Sequence, residues 1–128
     1  MRMSPSEKYY DQIECLRSIY LEDSFVLGLI EGQDSIEFEL EAVLTKQHPS
    51  YHPPKPDEKH CYKRLVLRLG NCSNVNWVRK SLTPSTDANG AIDYGNIDHF
   101  SVMKDQLRLS GDWGEVQLDC SDVSLHSI

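Results

Sequence analysis

Hydrophobic and polar residues alternate along most of this chain, which is the pattern of half-buried β-strands. The clearest alternation runs from Ser35 to Leu44. Apolar side chains share one of its faces and glutamates line the other: Ile36, Phe38, Leu40, Ala42 and Leu44 against Glu37, Glu39 and Glu41. This segment is therefore predicted to be a strand with one face in the core.

A second alternation, Tyr62–Leu69, places leucines on one face and Arg64 and Arg68 on the other. Opposite charges that face each other across two strands attract. We therefore predict that Ile36–Leu44 pairs antiparallel with Tyr62–Leu69.

Turn-forming residues divide the rest of the chain into shorter predicted strands. These strands are Ser24–Ile30, Ser73–Arg79, His99–Met103, Gln106–Leu109, Gly114–Cys120 and Val123–Leu125. The segment Ser110-Gly111-Asp112 joins two of them into a hairpin, and Glu31–Asp34 is a turn. Ser81–Ile97 is predicted to be a loop.

The N-terminus has a different pattern. Ser4, Pro5 and Glu7 have the order of an N-cap, a first helical residue and the glutamate of a capping box. Apolar residues then recur at helical spacing, which predicts a helix from Pro5 to Ser18. The alternative is that Leu16–Tyr20 is already extended.

The composition is that of a globular protein, with 128 residues, 39% hydrophobic and 26% charged. This length is typical of a single domain, residues 1–128, which can bury a core without disulfides. The predicted fold is mainly β (α+β), an antiparallel sandwich or half-open barrel of about seven strands with one N-terminal helix.

The net charge of −7 argues against nucleic acid and anionic membranes as partners and favours a basic protein partner or a role in solubility alone. The first ten residues, MRMSPSEKYY, lack the apolar segment of a signal peptide. We therefore expect a cytoplasmic protein. Its four cysteines form no C-x-x-C pair and are predicted to be reduced, small buried residues, with two disulfides as the alternative.

The connection Lys46–Cys61 is rich in proline and is predicted to cross the surface in an extended form. It also contains His48, His52, His60 and Cys61, ligands of the kinds that zinc binds. A metal-dependent enzyme built on these four residues is one hypothesis. However, prolines oppose the helix that would align His48 with His52, so we interpret the histidines as solvated and predict no cofactor.

The loop around residue 90 partly matches an EF-hand calcium loop. Asp87, Asn89 and Gly90 fit its third, fifth and sixth positions, but Ser85 and Asn96 stand at the first and twelfth, where ligands are required. We interpret the polar residues of this loop as turn formers, with calcium binding as the alternative.

Catalytic signatures are missing from the sequence. Asp98-His99 could join a serine in a triad on paper, but the chain has neither a G-x-S-x-G elbow nor a glycine-rich phosphate loop. The chain is therefore predicted to be a non-enzymatic binding or accessory module.

Several polar and aromatic residues are not required by any strand pattern. Tyr51 and His52 lie in the proline-rich connection, and Tyr94 lies in the acidic loop with Asp93 and Asp98. If these loops meet at one end of the barrel, they form an aromatic patch with an acidic rim, a combination suited to binding proteins. Exposed edge strands would also allow a homodimer.

Three stretches carry a family resemblance: YLEDSFVL from Tyr20 to Leu27, the connection VLTKQHPSYHPP, and the closing GDWGEVQL. They resemble small uncharacterised bacterial domains. They are also similar to β-rich immunity proteins of polymorphic toxin systems, which often open with an Asp-Ser turn and close with a strand pair. Those proteins more often have His-Asp where this chain has Glu22-Asp23. The resemblance implies a protein that blocks a toxin by binding it, and the acidic charge would suit a basic nuclease toxin.

Overall fold

The computed structural model describes residues 7–9, 13–86, 88, 90, 92–103 and 106–128. Antiparallel strands dominate these residues. The strands are β1 Glu7–Tyr9, β2 Ile19–Glu31, β3 Ile36–Leu44, β4 Tyr62–Lys80, β5 Ser85–Thr86, β6 Ile92–Asp93, β7 His99–Met103, β8 Gln106–Gly111 and β9 Gly114–Ser127. A 3-10 helix covers Glu14–Leu16.

Within the described residues, seven strands form one sheet in the order β1-β7-β8-β9-β4-β3-β2, and β5 pairs with β6. Every pairing is antiparallel. The large sheet curls into a half-barrel, which confirms the predicted mainly β class. None of the described residues forms a helix with the length and hydropathy needed to cross a bilayer.

The predicted pairing of the two clearest strands is confirmed. Ile36 lies opposite Leu69, and Glu37 lies opposite Arg68. The two short strands predicted at Ser73–Arg79 and Val123–Leu125 are parts of the longer β4 and β9. Gly70-Asn71, a dipeptide typical of turns, instead lies at a bend within β4. Asn71 and Asn74 at this bend both have φ near 52°. Asparagine tolerates this left-handed conformation, so the strand continues through the bend.

The predicted N-terminal helix is wrong. The only helical residues among those described are Glu14–Leu16, and β2 begins at Ile19, so the extended alternative holds for Ile19 and Tyr20 but not for Leu16. Leu16 and Ile19 are buried in the core, at 0% and 2% exposure. Burial against the sheet therefore outweighs the helical spacing, since a short isolated helix is marginal in water. The proposed cap, Ser4-Pro5-Ser6, lies outside the described residues.

Trp113, at the β8–β9 turn, is fully buried and packs into the core of the curled sheet. Its ring meets Phe38 and Trp77 edge to face, with centroid distances of 5.0 and 6.0 Å. Its Nε1 donates to the Asn96 carbonyl at 3.1 Å. The antiparallel pairing of β8 with β9, with Gly111 opposite Gly114, confirms the predicted hairpin, and its turn contributes Trp113 to the core.

A bulge in β2 shapes the end of the sheet where the candidate site lies. Tyr20 pairs with Val43 and Phe25 pairs with Glu41, so β2 carries extra residues between these pairs. The buried Ser24 fills the gap, because its Oγ accepts from the Val43 amide at 2.9 Å and donates to the Tyr20 carbonyl at 2.6 Å. The bulge leaves Asp23 exposed beside the sheet.

Candidate functional site

The proline-rich connection is held against the ends of β2 and β3 by its own hydrogen bonds. The Thr45 amide donates to the Ser18 carbonyl at 2.9 Å, and the Leu44 amide donates to the Cys61 carbonyl at 2.8 Å. A turn follows, in which the Tyr51 amide donates to the His48 carbonyl at 3.0 Å. These bonds fix both ends of the connection and the position of Tyr51.

A pocket of about 310 Å³ lies between this connection and the sheet. Its walls are Tyr20, Val43, Leu44, Thr45, Lys46, Gln47, Tyr51, Pro54, His60 and Cys61. Val43 follows the outward-facing glutamates of β3, yet only 1% of it is exposed. Tyr20, its neighbour on β2, is 50% exposed. The pocket therefore has an apolar floor and an accessible aromatic wall.

Tyr62 extends the aromatic surface along the sheet. It pairs with Val43 on the side opposite Tyr20, and its ring meets His60 edge to face at 5.9 Å. Partial burial raises the pKa of the Tyr62 hydroxyl, and the negative charges of Glu41, Asp23 and Glu58 raise it further. These three carboxylates therefore lie near Tyr62. We call the pocket together with Tyr62 and the carboxylates the aromatic-acidic site.

A cationic side chain also lines the pocket. Lys46 lines the wall. Burial lowers the pKa of His48, and the positive charge of Lys63 lowers it further. The Nδ1 atom of His48 accepts from the Ser50 amide at 3.0 Å, which requires an unprotonated Nδ1. The site therefore combines a cationic wall residue, Lys46, with carboxylates near Tyr62.

The four residues of the metal hypothesis have separate surroundings. Nδ1 of His52 donates to the Pro53 carbonyl at 2.9 Å, whereas Cys61 is 2% exposed. His60 and Cys61 line the pocket, and His48 and His52 are not among its wall residues. Across the described ranges, no group of three or more His, Cys, Asp or Glu side chains is placed to hold a metal ion.

The predicted binding residues are divided between two places. Tyr51 lines the pocket, whereas the acidic loop attaches to the middle of β2, where the Tyr94 amide donates to the Val26 carbonyl at 2.8 Å. Asp93 Oδ1 accepts from the Gly95 amide at 2.7 Å, as expected of a turn former. The Asp98 side chain is exposed.

The pKa of the Asp98 carboxyl is raised by partial burial and then by the charge of Asp112. None of Asp93, Tyr94 and Asp98 is a wall residue of the pocket. The calcium-loop residues Asp87 and Asn89 lie outside the described residues.

Sequence reasoning did not select Tyr20, Asp23, Glu41 or Glu58. Tyr20 and Asp23 flank the β2 bulge, and no pattern in the sequence marks that bulge. The sequence pattern predicts for Glu41 only a charge pair with the neighbouring strand. Glu58 lies near Tyr62 only because the connection folds back. The one available signal was Tyr62 itself, an aromatic residue on the charged face of a strand.

No protein-family model, curated protein or solved structure matches this chain. Arguments about its function therefore depend on its own residues.

Proposed function

We propose that this protein is a non-enzymatic binding module whose aromatic-acidic site recognises a basic protein. The observation that supports the proposal is an aromatic pocket directly beside a group of carboxylates. Aromatic side chains in partly enclosed pockets are frequent anchors of protein interfaces. Carboxylates beside such a pocket select partners by charge.

The polarity of the site indicates how a partner would bind. Lys46 in the pocket wall disfavours a cationic side chain there, so the pocket takes an apolar or aromatic side chain. Basic residues next to that anchor would lie over Tyr62 and its carboxylates. Glu41 faces Arg64 across the strands, so we assign the charge recognition to Asp23 and Glu58.

The net charge of −7 would accelerate the approach of a basic partner at low ionic strength. We favour a basic nuclease toxin as the partner that this protein binds and neutralises. This is the role that the resemblance to immunity proteins implies.

The first test is a titration with two peptides of equal length, each with a central tryptophan, one flanked by arginines and the other by glutamates. We expect the arginine peptide to bind more tightly, with amide NMR shifts at Tyr20, Val43 and Tyr51. Tyr20→Ala should weaken binding about tenfold, which is typical of losing an aromatic anchor. Equal binding of the two peptides would refute recognition by charge.

Two matched variants control this experiment. Ile30→Ala removes another exposed hydrophobic side chain of β2, 63% exposed, and should change affinity less than about twofold. Asp23→Lys should weaken binding and its salt dependence, whereas Asp34→Lys, an equal charge change in the β2–β3 turn, should not. If the control variants weaken binding as much as the site variants, the aromatic-acidic site is not the binding surface.

A photo-crosslinking amino acid at position 20, compared with the same amino acid at position 30, would then identify the natural partner. We expect a basic protein to be captured from position 20 only. Capture of an acidic protein there would contradict the proposal.

A further inference from the structure

Cys72 and Cys120 face each other in the sheet. They are directly opposite on β4 and β9, and the neighbouring pairs Gly70–Asp122 and Ser73–Asp119 keep the same register. Both are free thiols in the structure. The sequence gives no hint of this pairing, because 47 residues separate the two cysteines along the chain.

The backbone hydrogen-bond pattern at this pair is one that a disulfide can join. The Cys72 amide donates to the Asp34 carbonyl at 2.8 Å, so it points away from β9. Cys72 and Cys120 are therefore a non-hydrogen-bonded pair, whose Cα atoms lie about 4.5 Å apart in antiparallel sheets. Disulfides join Cα atoms that are roughly 4.4 to 6.8 Å apart.

The two thiols also share one small space. Cys120 Sγ donates to the Gly70 carbonyl at 3.0 Å, and Cys72 Sγ donates to the Leu69 carbonyl at 3.2 Å. Burial raises the pKa of the Cys72 thiol to about 12, and the adjacent Cys120 contributes to the rise. Cys120 is 7% exposed, whereas Cys72 is only half-buried, so a reagent in solution reaches Cys72 first.

We propose that Cys72 and Cys120 are a reversible disulfide site that closes when the protein meets a low-molecular-weight disulfide. The Cys72 thiol loses its proton and attacks one sulfur of the reagent, which releases one small thiol and leaves a mixed disulfide. Cys120 then loses its proton and attacks the Cys72 sulfur, which releases the second small thiol. Two protein thiols are oxidised, and one small disulfide is reduced to two thiols.

Closure would link β4 to β9 at the bend of β4. Cys72 lies between Asn71 and Asn74, both with left-handed backbones, and the pairing register shifts just beyond it. A covalent link at this point would fix the bend. Exchange requires the thiolate, so closure is slow at neutral pH and faster in alkaline solution.

The test uses the full-length reduced chain, incubated with oxidised glutathione at mildly alkaline pH, alkylated and analysed by mass spectrometry. We expect a product lighter by two hydrogens, with Cys15 and Cys61 alkylated and a peptide that joins Cys72 to Cys120. Dithiothreitol should return all four free thiols. A stable mixed disulfide that never closes, a link between other cysteines, or four alkylated thiols would each overturn the proposal.

Single variants separate the two steps. Cys120→Ser should accumulate the glutathione adduct on Cys72, because the second thiol is missing. Cys15→Ser and Cys61→Ser should close as the wild type does. Closure that is lost in Cys15→Ser would show that the assigned pair is wrong.

Discussion

At the scale of single residues, the buried Ser24 completes the hydrogen bonding of the β2 bulge beside the candidate site. Its hydroxyl satisfies the Val43 amide at the point where the bulge of β2 interrupts the ladder. A buried amide without a partner costs about 1 to 3 kcal/mol. A residue that looks like an ordinary turn former in the sequence is therefore an internal part of the sheet, next to Tyr20 and Asp23.

Ser24→Ala is expected to lower the free energy of unfolding by about 1 to 3 kcal/mol, because the Val43 amide would lose its acceptor. Urea unfolding followed by tryptophan fluorescence measures this. Ser121→Ala, at an exposed serine of β9, should change the free energy by less than about 0.5 kcal/mol. Equal stability of Ser24→Ala and the wild type would show that the bulge does not need the hydroxyl.

At the scale of elements, the alternation of charge on β3 and β4 was sufficient to predict their pairing. Glu37 lies directly opposite Arg68, as the sequence indicated. The Arg68 side chain also lies over Gly70 on its own strand, where a methyl group would collide with the guanidinium. The guanidinium of Arg68 therefore also covers the backbone at Gly70.

Arg68→Glu should destabilise the protein by about 0.5 to 1 kcal/mol, because two glutamates would then face each other across the strands. Thermal unfolding at low salt measures the effect, and added salt should reduce it. Lys59→Glu, the same charge reversal in the exposed connection, is the control. An unchanged unfolding temperature for Arg68→Glu would contradict a role for this charge pair.

At the scale of the whole molecule, distant segments meet to close the half-barrel. Glu31 at the end of β2 accepts from Trp77 Nε1 at 3.3 Å and forms an ion pair with Lys80. Lys80 also lies over the Trp77 ring, 4.9 Å from its centroid. The antiparallel register of β4 and β9 places Cys72 opposite Cys120, beside the two left-handed asparagines of β4.

Stability should fall in alkaline solution. The pKa of Cys72 is raised from 9.0 to about 12, so the unfolded chain loses this proton before the folded protein does. The contribution of the Cys72 thiol to the free energy of unfolding is complete below about pH 9 and is lost as pH rises toward 12. When urea unfolding is measured between about pH 8 and pH 10.5, the free energy of unfolding should decrease less for Cys72→Ser than for the wild type. If the free energy of unfolding fell equally with pH in both proteins, the Cys72 thiol would not control the loss of stability.

The raised pKa of Tyr62 adds a similar loss above about pH 10, and Tyr62→Phe removes it. The two variants together therefore separate the thiol from the phenol.

The sequence by itself determined the β class, the β3–β4 pairing and the β8–β9 hairpin, because alternation and turn chemistry are local properties. It also indicated Tyr51 as an aromatic residue without a place in a strand. Only the tertiary structure decided that Leu16, in a 3-10 turn, and Ile19, in β2, both enter the core. It also decided that Tyr20, Asp23, Tyr62 and Glu58 surround one site, and that Cys72 faces Cys120. These groupings depend on long-range register, bulges and the bend of β4, which no short window of sequence encodes.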